Sequence, residues 1–100
     1  MILSEKETQL YGNWFLCQLY TMAQGIVDRR FNRYDVFKAL GKRGILEGGV
    51  RQATDEIVQF LYLRCDFIRT IENSEDILLT MAGLAESERI CPDNPVTRST

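Results

Sequence analysis

The sequence contains no histidine, only two prolines, and three cysteines that lie far apart. Each shortage excludes something. Without histidine the chain lacks the commonest general base, and with no paired cysteine spacing it also lacks an ordinary zinc ligand set. Cys17, Cys65 and Cys91 are odd in number, so no disulfide framework is implied and a reducing, cytoplasmic compartment is the expectation. No apolar run approaches the ~20 residues of a membrane span, and no charged start precedes an apolar signal region. Neither a membrane, a metal nor a cofactor is expected. Both prolines fall in the closing stretch "CPDNPVTRST", so a disordered tail at 91–100 is expected to follow a single domain at 1–90. What remains is ordinary for a globular protein: 45% apolar and 26% charged residues in a chain of 100.

Periodicity organises the first half. Tyr11, Phe15, Leu19, Met22 and Ile26 recur at helical spacing and make one face. Ser4 with Glu7 three residues on is a capping-box signature, and Gly25 closes the helix. Leu10, Trp14, Leu16, Cys17 and Tyr20 lie outside that stripe, so the helix is apolar around most of its circumference. Asn32 with Asp35 opens a short helix whose buried face is Tyr34, Phe37 and Leu40. A third helix runs over residues 50–65, with Val50, Ala53, Ile57, Phe60 and Leu61 inward. Its outer face carries Arg51, Gln52, Asp55, Glu56 and Gln59.

The segment "FIRTIENSEDILLTMAGLAESE" changes period. Residues 67–72 alternate around Ile68, Asn73-Ser-Glu-Asp is a turn by composition, and Ile77-Leu-Leu-Thr-Met returns as a second strand. Thr80 then precedes a short closing helix. The order helix, helix, helix, hairpin, helix, with Leu79-Thr80 followed by Gly83 and Glu86, resembles the winged-helix (winged helix-turn-helix) family, whose domains often close on an L-T-x-x-G pattern. The resemblance spans most of residues 8–90. It implies an α+β, mostly helical fold: a long N-terminal helix, a three-helix core and a C-terminal β-hairpin wing. Phe31 becomes the stub strand, and residues 50–65 become the recognition helix.

No catalytic constellation stands out, and an enzyme is not expected. Asp55-Glu56 and Glu75-Asp76 are adjacent pairs that read as solvated surface. Charge says more. Residues 28–47 hold six basic residues against three acidic, and residues 48–76 hold the reverse. Winged-helix proteins that bind DNA in the usual mode bring helix and wing to phosphate, yet this wing carries Glu72, Glu75 and Asp76. Acids at that position are repelled by the duplex. The tip therefore reads as an exposed acidic loop, separate from the basic segment.

Two functions follow. The first is a small DNA-associated regulatory or accessory protein that contacts double-stranded DNA through Arg29, Arg30, Arg33, Lys38, Lys42, Arg43, Arg51 and Gln52. The alternative is a protein–protein adaptor that uses the acidic wing and makes no direct DNA contact. In either case a homodimer is expected through Trp14, Leu16, Cys17 and Tyr20, for which the core already lined by Tyr11, Phe15 and Leu19 leaves no room.

Overall fold

The computed structural model describes residues 3–40 and 49–91. Over these described residues it is a small α+β fold, mostly helical, with four α-helices and one three-stranded antiparallel sheet. The elements run α1 (Glu5–Ala23), β1 (Phe31–Asn32), α2 (Arg33–Ala39), α3 (Val50–Gln59), a π-helical turn (Phe60–Arg64), β2 (Ile68–Thr70), β3 (Asp76–Leu79) and α4 (Met81–Ile90).

Three helix starts are set by side chains next to them in sequence. Ser4 Oγ accepts from the Glu7 amide at 3.1 Å while Glu7 accepts from the Ser4 amide at 2.9 Å, completing the capping box of α1. The Asn32 side chain accepts from the Tyr34 amide at 2.9 Å and so opens α2. Thr80 Oγ1 accepts from the Gly83 amide at 3.0 Å and itself donates to the Asp66 carbonyl at 2.8 Å, fixing α4 to the entry of the hairpin. α1 ends through Gln24 and Gly25, both at positive φ. Ile26, the last member of the predicted stripe, therefore lies beyond the helix and is exposed, as is Val50 at the start of α3.

The sheet order is β1-β3-β2, with Phe31 opposite Ile77 and Ile68 opposite Leu79. This register turns Ile68, Ile77 and Leu79 inward, where all three are fully buried. Asn73 takes positive φ at the hairpin tip, which asparagine tolerates.

Two expectations about α1 are corrected. Leu16 and Tyr20, predicted as an outer dimer face, are buried within this one chain beside Phe15 and Leu19. The reason is geometric: α1 is the central helix, contacting α2, α3, the π-turn and β3, and α4 covers a further side. Room for those side chains exists because α1 is packed on several sides at once. Cys17 is joined to Cys91 in a disulfide, which also removes the argument from cysteine count for a reducing compartment. Cys91 is thus buried and bonded rather than the first residue of a free tail. Residues 92–100 lie outside the described residues. Among the described residues, no helix is long and apolar enough to cross a membrane.

Candidate interaction surface

The two oppositely charged segments meet. Arg30, just before β1, pairs with Asp76 at the start of β3, at 3.2 Å. Arg33, at the start of α2, pairs with Asp55 on α3 at 3.3 Å, and its Nε donates to the Glu75 carbonyl at 3.1 Å. Arg51, in the first turn of α3, donates to the Glu75 carboxylate at 2.8 Å, and Asn32 donates to the other oxygen at 3.2 Å. The hairpin tip is therefore tied to β1, α2 and α3 at once. A tip that sequence alone reads as a separate acidic loop is the centre of a polar cluster.

Tyr34 sits inside this cluster. Its hydroxyl donates to Asp55 at 2.9 Å, and the Arg51 guanidinium lies over its ring at 4.2 Å from the centroid. Partial burial, and then the Asp55 carboxylate that accepts its proton, push the Tyr34 phenol up from its ordinary range. Glu75 moves the other way: the hydrogen bonds from Arg51 and then Asn32 hold its carboxyl below the usual carboxylate range.

The predicted nucleic-acid residues divide accordingly. Arg30, Arg33 and Arg51 are drawn into the cluster by the chain's own carboxylates. Arg29 lies elsewhere, donating to the Ala23 carbonyl at 3.3 Å with its guanidinium near the Phe31 ring. Gln52 donates to Glu56 at 3.3 Å, and Lys38 is exposed on α2. Lys42 and Arg43 lie outside the described residues. Among the described residues, three of the predicted cations are therefore paired with carboxylates rather than left as a free cationic face. Each of the three ion pairs in the cluster spans more than twenty positions in sequence, which is why a charge count by segment misses it.

A second feature was not singled out from sequence. A groove of about 890 Å³ runs between the first turns of α1 and the outer edge of α3 with its π-turn. Phe60 and Leu63 supply its apolar surface; Glu5, Asp55, Glu56 and Arg64 are among the residues around it. The one signal available in sequence was Leu63, an apolar residue aligned with Glu56 and Gln59 rather than with the inner stripe. Cys65, the remaining cysteine, is partly buried, and that burial pushes its thiol up, away from the reactive thiolate. Among the described residues no three His, Cys, Asp or Glu side chains are grouped to hold a metal ion. Compared with known proteins, the chain matches no family model, no curated protein and no solved structure.

Proposed function

We propose that this chain is a winged-helix-type interaction module whose partner is a protein rather than duplex DNA. The scaffold part of the reading is supported by element order, by the β1-β3-β2 sheet, and by Thr80 and Gly83 joining hairpin and closing helix. The observation that carries the partner part is the closure of Arg30, Arg33 and Arg51 on Asp76, Asp55 and Glu75.

Affinity for DNA comes largely from cations that release counterions from phosphate. A guanidinium already paired with a carboxylate must first break that pair, and the freed carboxylate then repels the same phosphate. On this chain the helix and wing that the resemblance would aim at the duplex present Asp55, Glu56, Glu75 and Asp76. Proteins use such surfaces for partners of the opposite charge.

Fluorescence anisotropy with a labelled duplex of about 30 base pairs tests this at low and physiological salt. The expected result is no saturable binding in the 10⁻⁴–10⁻⁶ M range of ordinary non-specific DNA binders. Micromolar, salt-dependent binding that is lost on charge reversal at Arg29 and Arg30 would overturn the reading in favour of a DNA-associated protein.

A further inference from the structure

The groove beside α3 is built from a costly arrangement. Leu63 is 68% exposed on a helical segment whose neighbours Glu56 and Gln59 are polar. Leaving a leucine in water forgoes the free energy of burying it. Phe60 lies across α1 at Gly12, where a Cβ would stand 3.3 Å from Phe60 Cδ2. A helix with glycine at that position lets the edge of the ring approach closely. Phe60, Leu63 and Arg64 all belong to the π-helical turn, a backbone form that is rare and concentrates at functional sites.

Charge around the groove narrows what fits. Glu5, Asp55, Glu56 and Arg64 line it, and Glu56 already accepts from the Leu3 amide at 3.2 Å and from Gln52 at 3.3 Å. Asp55 is already engaged by Arg33 and Tyr34. Glu5 meets Arg64 only at 3.9 Å and its side chain is 84% exposed, so it stays open to a better-placed cation. Phosphate is repelled by such a rim. A lysine or arginine is attracted, and an apolar side chain beside it would cover Phe60 and Leu63.

We propose that this groove is the docking site for a segment of a partner protein that presents a large apolar side chain flanked by Lys or Arg. The proposal rests on the reading of the chain as a protein-interaction module and names the surface and the chemistry of the partner. From Gln52 to Arg64 the groove wall rises roughly 18 Å at 1.5 Å per residue, about three turns of a docked helix. Helix-in-groove recognition uses anchors at i, i+3, i+4 and i+7, which span about 10.5 Å and fit within that length.

Selection of a phage-displayed random 12-residue library on the full chain tests the proposal. Enriched sequences should pair an aromatic or large aliphatic residue with Lys or Arg. A synthetic peptide of the enriched consensus should lose at least tenfold in affinity with Leu63→Glu and several-fold with Glu5→Lys, both fully surface positions. Its amide shift changes should centre on residues 5, 52, 60 and 63. No enrichment, enrichment of acidic sequences, or self-association abolished by Leu63→Glu would each overturn it. A consensus peptide indifferent to Leu63→Glu would refute the groove and leave the interaction reading standing. Duplex DNA shifting the same amides would refute both.

Discussion

The Arg51 guanidinium donates to the Glu75 carboxylate at 2.8 Å, joining the first turn of α3 to the hairpin tip. The Glu75 carbonyl is used as well, accepting the Arg33 amide and Nε, each at 3.1 Å. One residue of the five-residue tip, residues 71–75, therefore holds two helices and β1. Shortening the tip by removing Ser74 and Glu75 is not a neutral trimming of a loop, because Ser74 Oγ also accepts from the Asp76 amide at 3.0 Å.

This contact carries a pH dependence. The folded state holds Glu75 below the ordinary carboxylate range, first through Arg51 and then through Asn32. As pH falls, the unfolded chain takes up that proton before the folded one does. The contribution of Glu75 is complete above the ordinary carboxylate range and is lost as pH falls through the depressed folded value. The Arg33 amide, covered by the Glu75 carbonyl, reports it. Its protection from hydrogen exchange should fall on acidification in the native chain and should start low and change little in Glu75→Gln. Equal acid sensitivity in both proteins would count against the assignment.

The disulfide makes a larger prediction. Cys17 and Cys91 are separated by 74 positions, so the bond closes most of the chain into a loop. Chain-entropy reasoning gives about 4 kcal/mol for such a loop, within the 2–5 kcal/mol usual for removing a native bridge. For a domain this size that corresponds to a melting point lower by roughly 10 °C or more in reductant. Thiol titration of the unfolded chain should find one free thiol before reduction, Cys65, and three after it. Identical melts with and without reductant would show that the bond contributes nothing.

How much of this was legible in sequence follows from distance along the chain. Ser4 with Glu7, Asn32 with Asp35, and Thr80 with Gly83 are contacts over three residues, and each marks its helix start correctly. The turn composition of Asn73-Ser-Glu-Asp marks the hairpin for the same reason, whereas its register, with Ile68 opposite Leu79, is a pairing over 11 positions that sequence leaves open. Arg30 with Asp76 is a contact over 46 positions, and nothing local in either residue announces the other. Periodicity on α1 identifies one buried stripe; it cannot report that α2, α3, β3 and α4 all pack around the helix, where Leu16 and Tyr20 are buried as well. The candidate site was harder still, since a groove is a property of two separate helices.

That burial changes what substitutions on α1 should do. Tyr20 and Leu16 are fully buried, whereas Trp14, stacked edge-on against Tyr11 at 5.3 Å, is 37% exposed. Leu16→Ala should lower stability by about 2–5 kcal/mol as a core truncation. Trp14→Glu should leave the fold intact, because the face it occupies with Leu10 already meets water. Sedimentation of both proteins at tens of micromolar separates the cases. If Trp14→Glu converts a dimer to a folded monomer, α1 self-associates through this smaller face; if the native chain is monomeric at that concentration, the expected homodimer is absent.

The last prediction compares two glycines on helices. At Gly83, an added Cβ would collide with the Phe67 carbonyl oxygen and stand 2.9 Å from Leu79 Cδ1. The close approach is thus between the closing helix and the entry of the hairpin. The Phe67 carbonyl cannot swing aside, because it also accepts the Thr80 amide at 3.2 Å. Gly83→Ala must therefore move α4 as a body, straining the Thr80 cap at one end and the Cys91 bridge at the other. At Gly12 the nearest atom is Phe60 Cδ2 at 3.3 Å, the edge of a half-buried ring facing the open groove. That ring can yield by the few tenths of an ångström needed. Alanine favours a helix interior over glycine by about 1 kcal/mol, a gain available at both sites. Overpacking typically costs about 1–3 kcal/mol, and collision with fixed backbone belongs at or above the upper end. Gly83→Ala should therefore destabilise by about 2 kcal/mol or more in urea unfolding, while Gly12→Ala should stay within about 1 kcal/mol of the native chain. Equal effects at the two positions would mean that the Phe67 carbonyl is not the constraint that keeps glycine at 83.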